Sequence, residues 1–256
     1  MGLVVSRVEG QAGLVVLNQP ETRNALTMEL RADLLQAVEA HRQDARVRAI
    51  VLGAEGKAFC AGGDLKSLVA ETPASMLERQ FNVQNLMRAI MTGDKPVIAA
   101  VEGAALGAGL SLALSCDIVV ATTAARFGCV FGKVGLAPDL GLTWVLPRRV
   151  GSGRARLLML TGRVIDGATA CAWGMADELA EPGTALATAC AIAEEIAGTG
   201  PLAAKVTRRA LRQDFGSLDQ ALDFEAVAQT MLKSTEDFAE AARSFSEKRQ
   251  PVFRGR

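Results

Sequence analysis

Two short runs of small residues carry the strongest chemical signal in the chain. One is Lys57-Ala58-Phe59-Cys60-Ala61-Gly62-Gly63-Asp64-Leu65, which follows a β-branched stretch and its loop. The other is Glu102-Gly103-Ala104-Ala105-Leu106-Gly107-Ala108-Gly109, which follows a strand pattern and opens a helix. Glycine and alanine let main chain approach a ligand closely and supply unusual dihedrals. A helix start adds N–H groups without intrahelical partners and a dipole that favours negative charge. Two such turns can each aim one amide at a single oxygen on which negative charge develops. The strand–glycine–helix order also invites a dinucleotide reading, but the spacing is GxxxGxG instead of GxGxxG. No acidic residue obviously ends a following strand about 20 residues on, as that motif requires. No GxxxxGKS/T run exists, which excludes a P-loop.

The remaining reactive side chains are sparse. His41 is the only histidine and lies on the apolar face of a helical pattern, where a packed role is expected. It cannot complete a zinc site with Cys60, Cys116, Cys129, Cys171 and Cys190, which show no CxxC spacing and sit in apolar runs. Cys60 abuts the first turn and is placed to line a pocket there. Ser111 follows the second turn without a histidine to activate it. Asp117 opens a strand and reads as a structural hydrogen-bond acceptor. Asp139 lies in Gly135-Leu136-Ala137-Pro138-Asp139-Leu140-Gly141, and Pro-Asp-x-Gly is by itself a common turn sequence.

The elements that must position these groups are legible from periodicity. Leu14 to Leu17, Val47 to Leu52, Pro96 to Val101 and Asp117 to Ala121 read as strands. Met28 to Arg42 places Leu30, Leu34, Val38 and His41 on one face, with Thr27 as N-cap. Met76, Gln80, Val83, Met87 and Ile90 keep helical spacing, and a short apolar helix follows the second turn to about Ser115. After Pro201 strands vanish. Pro201 to Arg212, Ser217 to Lys233 and Thr235 to Lys248 read as helices, the last with a capping-box-like start at Ser234 and Asp237. The chain therefore divides into an α/β core over 1–198 and a C-terminal helical region over 199–256, whose apolar faces are expected to meet another subunit.

Bulk properties narrow the function. Lys plus Arg number 28 and Asp plus Glu 28, so no net field favours nucleic acid or an anionic membrane. Aromatics are 4% and Tyr is absent, which leaves few base-stacking platforms. No apolar stretch long enough to span a bilayer and no secretory pattern is apparent, so a cytoplasmic, reduced protein is expected.

Taken together, PETRNALT (20–27), AFCAGGDL (58–65), KPVIAAVEGAALGAGLSLALSCDIVVAT (95–122), FGCVFGKVGLAPDLGLTWVLPRRVG (127–151) and FSEKRQPVFRGR (245–256) resemble the crotonase (enoyl-CoA hydratase/isomerase) superfamily in order and spacing across essentially the whole chain. The resemblance implies a spiral of ββα units with a C-terminal helical trimerisation region, and a homotrimer or dimer of trimers. It implies an acyl-CoA thioester substrate, with coenzyme A part of that substrate and no redox or metal cofactor. Ala61 and Ala108 are implied to supply the oxyanion-hole amides. Arg23, Asn24, Ala25, Ala61, Gly63, Asp64, Leu65 and Lys66 are implied to border the CoA nucleotide.

Hydratases of the superfamily carry two glutamates, one just after the second turn and one in an FGxPE-like run. Ser111 and Phe131 stand at those places here. Asp139 matches the position of the single carboxylate in isomerases of the superfamily, including the branch that acts on ring-containing acyl-CoAs. The resemblance therefore implies an enoyl-CoA isomerase that moves a double bond from Δ3 to Δ2, with Asp139 as acid/base in an apolar setting of Phe131, Leu136, Leu140, Leu142 and Trp144. Two alternatives stay open: an enoyl-CoA hydratase with an atypical site, and a non-catalytic acyl-CoA-binding subunit. Asp139 as a plain turn residue also stays open.

Overall fold

The computed structural model describes residues 2–64 and 72–256. Strands β1 (Val4–Glu9), β2 (Ala12–Leu17), β3 (Ala49–Ala54), β4 (Val97–Val101), β6 (Ile118–Thr122) and β9 (Glu178–Ala180) form one six-stranded sheet in the order β1-β2-β3-β4-β6-β9. Only the β1–β2 pair is antiparallel. Strands β2 to β4 are buried along their length, as expected where helices cover both faces. A smaller sheet of β5 (Ala104–Leu106), β7 (Arg126–Gly128) and β8 (Val164–Asp166) lies beside it, in the order β5-β7-β8. The chain repeatedly leaves the large sheet, adds a strand to the small one and returns through a helix, giving the expected ββα spiral.

Alternation of side chains gives the large sheet two apolar faces. Val15, Leu17, Ile50, Leu52, Ala99 and Val119 face the main core with helices α1 (Met28–Gln43), α2 (Pro73–Thr92) and α3 (Ala108–Ser115). Leu14, Val51, Ile98 and Val120 face α6 (Ala185–Ala197), which presents Ala185, Ala189 and Ala193 at four-residue spacing. Between these come α4 (Leu142–Thr161), kinked at Gly151, and α5 (Gly167–Ala172). Helix α1 begins at the expected cap, where the Leu30 N–H donates to Thr27 Oγ1 at 3.2 Å.

Helices α7 (Pro201–Arg212), α8 (Leu218–Lys233) and α9 (Glu236–Glu247) complete the chain. The start of α9 differs from the Ser234/Asp237 expectation. Thr235 is the cap, its Oγ1 accepting from the Phe238 N–H, while Asp237 is turned inward and accepts from the N–H groups of Arg254 and Gly255. Only one of two adjacent hydroxyl residues can occupy the extended N-cap conformation, and the tail's need for acceptors recruits the aspartate. Helix α7 is tied to the core by buried charge. Arg208 Nε donates to Asp117 at 2.7 Å, and the guanidinium groups of Arg208 and Arg212 donate to the carbonyls of Ile90, Met91 and Gly93 at the C-terminal end of α2. Cations there suit the negative end of the helix dipole. Asp117 also accepts from the Val97 N–H at 2.8 Å, the acceptor role its position suggested.

Candidate active site

The two glycine-rich turns are brought side by side by main-chain pairing. The Cys60 N–H donates to the Ala104 carbonyl at 2.9 Å and the Leu106 N–H to the Cys60 carbonyl at 3.0 Å, a parallel bridge between Cys60 and Ala105. Because the two segments run in the same direction, residues 61–64 and 107–109 emerge at the same end. Small residues make this approach possible. A Cβ on Gly109 would lie 2.1 Å from the Cys60 carbonyl oxygen. A Cβ on Gly62, whose φ is +107°, would lie 2.9 Å from the Leu106 oxygen and 3.6 Å from the Ala108 nitrogen. Ala108 is the first residue of α3, after Gly107 at φ +53°, so its N–H is one of those an α-helix leaves unpaired.

The first turn corrects one expectation. The Ala61 N–H donates to the Arg23 carbonyl at 3.0 Å, so that amide is spent within the chain and does not face a ligand. The Gly62 carbonyl accepts from the Leu26 N–H at 2.8 Å within a parallel bridge between Leu26 and Gly63. In such a bridge the groups flanking Gly63 point at Leu26, and its own N–H points to the opposite edge, the side of the second turn. Among the described residues the Gly63 N–H makes no hydrogen bond. The amides of the two turns left without a main-chain partner on this side are therefore those of Gly63 and Ala108.

The expected nucleotide-side residues divide in two. Asn24 is fully buried, and its side chain bonds inside the protein. Its Nδ2 donates to the Glu55 and Ala58 carbonyls at 2.9 and 2.8 Å and its Oδ1 accepts from the Gln19 N–H. It holds the loop and offers a ligand no side-chain contact. Arg23 is exposed with φ +56°, Ala25, Gly63 and Asp64 are half-buried, and all lie along the rim of the first turn. Leu65 and Lys66 lie outside the described residues.

Asp139 sits in a tight turn closed by Leu140 at φ +55° and Gly141 at φ +81°. Its carbonyl accepts from the Leu142 N–H and from Ser111 Oγ, each at 3.1 Å. Its side chain is turned inward, and Oδ1 is buried with no hydrogen-bond partner. Burial raises the carboxyl pKa above the usual aspartate value, opposed by the Gln80 amide and by the positive charge of Arg31. Phe131, Leu140 and Leu142 are buried as the apolar setting requires, whereas Leu136 and Trp144 are 49% and 43% exposed. Trp144 instead carries the Arg148 guanidinium at 3.9 Å over its ring.

Ser111 and Phe131 border the same space. Phe131 comes within 4.0 Å of where a Gly107 Cβ would stand, and Ser111 lies one turn into α3. Cys60 is fully buried, and desolvation pushes its thiol up to about 12, so it packs as an inert thiol. His41 is remote from the turns, with Nε2 at 2.9 Å from Ser6 Oγ and 3.2 Å from the Leu14 carbonyl. No group of three or more metal-ligating side chains occurs among the described residues, and none of their helices is long and apolar enough to cross a membrane.

Two contributors escaped the sequence reading. Arg31 lies on α1 with Nη2 at 4.0 Å from a Cβ built on Gly63, and Gln80 lies on α2 near Asp139. Arg31 falls one residue after Leu30 on the core face, a position where a cation ordinarily reads as solvated surface.

The family profile described as enoyl-CoA hydratase/isomerase matches residues 8–256. The chain is 35% identical over 263 residues to the 1,2-epoxyphenylacetyl-CoA isomerase of Escherichia coli, covering 100% of both proteins. It is 34% identical over 251 residues to the short-chain-enoyl-CoA hydratase of Clostridium acetobutylicum, covering 96% of this chain and 95% of that one. The crystal structure of an enoyl-CoA hydratase from Bacillus anthracis superposes with a TM-score of 0.95 at 30% identity, covering 99% of this chain and 100% of that one.

Proposed function

Because the chain belongs to the enoyl-CoA hydratase/isomerase family, we propose that it is an enoyl-CoA isomerase in which the Gly63 and Ala108 amides hold the thioester oxygen and Asp139 carries the proton. Removing a proton from C2 of an acyl thioester puts negative charge on the carbonyl oxygen. Two fixed N–H donors answer that charge, each worth ~2.7–4 kcal/mol of transition-state stabilisation in comparable sites. The dienolate is then reprotonated at C4, so that the double bond moves from Δ3 to Δ2 and the carboxylate is regenerated. One carboxyl group suffices for both transfers.

The observation that carries this reading is the Asp139 side chain, with Oδ1 buried, lacking a partner and raised in pKa. A group that takes and returns a proton near neutral pH needs that kind of tuning. The other two places where hydratases carry acids hold a phenyl ring and a hydroxyl whose proton is directed at main-chain carbonyls. A 3-enoyl-CoA incubated in deuterated water should exchange at C2 and yield the 2-enoyl product. Asp139→Asn should slow this by about 100-fold or more, the range typical of a general base. Unchanged turnover in that variant would overturn the reading.

A second reading, hydration directed by Asp139 alone, draws support from the relatives named hydratase. Loss of the conjugated-thioester absorbance of a 2-enoyl-CoA would favour it. A non-catalytic acyl-CoA-binding role would show as tight binding with no exchange. The CoA moiety is proposed to run along Arg23, Ala25, Gly63 and Asp64. The C-terminal helices expose Leu211, Leu218, Val227, Met231 and Phe245, the last 87% exposed, which supports a homotrimer or dimer of trimers, measurable by light scattering.

A further inference from the structure

Ser111 stands where the resemblance places a glutamate, and we propose that its hydroxyl is a positioning group that fixes Asp139 against the Ala108 amide. The proposal rests on the reading of Asp139 as proton carrier. Ser111 is 2% exposed, and its Oγ lies 3.1 Å from the Asp139 carbonyl oxygen and 3.4 Å from that of Gly107. Its single proton serves the nearer acceptor, the Asp139 carbonyl, with the Gly107 carbonyl as the longer competitor, so the hydroxyl ties α3 to the Asp139 turn. One end of the tether is α3 itself. Ala108 and Ser111 are three residues apart on one rigid helix, an axial rise of about 4.5 Å. The other end is the Asp139 turn, so the hole and the carboxylate are joined through a single side-chain bond.

Two features make that bond consequential. Leu140, next to Asp139, is a large γ-branched residue held at φ +55°, a conformation such side chains avoid, so the turn stays in place only where its surroundings hold it. Leu140 is 7% exposed and anchored in the core, which leaves the Asp139 peptide as the part free to relax. At the carboxyl end, Oδ1 has no hydrogen-bond partner, and the Gln80 amide is the side-chain donor to the carboxylate. The location of the proton-carrying oxygen is therefore set by the Gln80 amide at the carboxylate and, from the backbone side, by the bonds that the Asp139 carbonyl receives from Ser111 Oγ and the Leu142 N–H.

The test measures C2 exchange of a 3-enoyl-CoA in deuterated water for Ser111→Ala and Ser111→Cys, each alone and combined with Asp139→Asn. Cysteine nearly conserves volume but donates weakly, so it separates the lost bond from a cavity. Both single variants should lower kcat about 10-fold, the scale of a small misplacement of a reacting group. KM should stay within about twofold, because the oxyanion amides and CoA contacts persist. In the Asp139→Asn background neither should lower the residual rate further, since a group that acts through Asp139 has nothing left to position. Single variants within twofold of wild type, or an equal fall in both backgrounds, would overturn the proposal while leaving the Asp139 reading intact. Wild-type exchange in Asp139→Asn alone would instead remove the reading on which it rests.

Discussion

The turns at 60–64 and 103–109 look alike in sequence and differ in what aims their amides. Both are runs of small residues after a strand, and both enter the Cys60–Ala105 bridge. In the second turn the donor follows from a local rule: Ala108 opens a helix, so its N–H has no intrahelical partner. In the first turn no local rule decides. The Ala61 amide is turned to Arg23 and the Gly63 amide away from Leu26 by pairings with residues about 38 positions earlier in the chain, a separation read from their numbers. Compositional likeness thus conceals two sources of preorganisation, one built into a helix and one borrowed from a neighbouring loop.

The contrast can be broken hardest at the helical donor. Ala108→Pro removes that N–H and puts a ring carbon in its place, at the first helical position where proline is well accepted. Exchange should fall about 10²–10³-fold with the melting temperature little changed. Gly62→Ala attacks the borrowed geometry, because a Cβ at φ +107° would meet the Leu106 oxygen at 2.9 Å. It should cost both exchange, about 10-fold or more by displacement of the amide, and thermal stability. Arg31→Met sharpens the electrostatic side. Arg31 favours the charged carboxylate, so its loss raises the Asp139 pKa, and the acidic limb of the kcat/KM profile should move to higher pH. Gly63→Ala keeps its N–H, and among the described residues its Cβ would meet nothing nearer than Arg31 Nη2 at 4.0 Å. Its loss should stay within about threefold, equivalent to ~0.65 kcal/mol. The smallest effect is on stability. A folded pKa raised above the unfolded value lowers stability as pH rises through that window, so Asp139→Asn should raise Tm slightly at about pH 7 and not at about pH 3, below both values.

Much of the architecture was legible because it obeys short-range rules. Thr27 caps its helix, the buried strands show as β-branched runs, and the alternation of strand and helix announces the ββα spiral. What resisted reading depends on residues far apart. Which amide of the first turn is free follows from Arg23 and Leu26. That Asn24 is internal follows from carbonyls at Glu55 and Ala58. Arg31 and Gln80 resemble ordinary polar helix positions until Asp139 is folded beside them. Asp139 itself reads equally as a turn residue, and the structure shows that it is one, with its side chain directed inward all the same.

The clasp that Arg208 and Arg212 place on the last carbonyls of α2 has a mechanical corollary. Helix α2 has 20 residues, so it reaches ~30 Å from that clasp, and Gln80 stands beside Asp139 well along its length. The helix is seated along its length by Val83, Leu86, Met87 and Ile90 in the core as well as at the clasp, and each degree of difference in its axis would displace a point ~30 Å away by about 0.5 Å. The clasp comes from α7, so the seat of α2, and with it the Gln80 amide beside Asp139, is fixed in part by the C-terminal region.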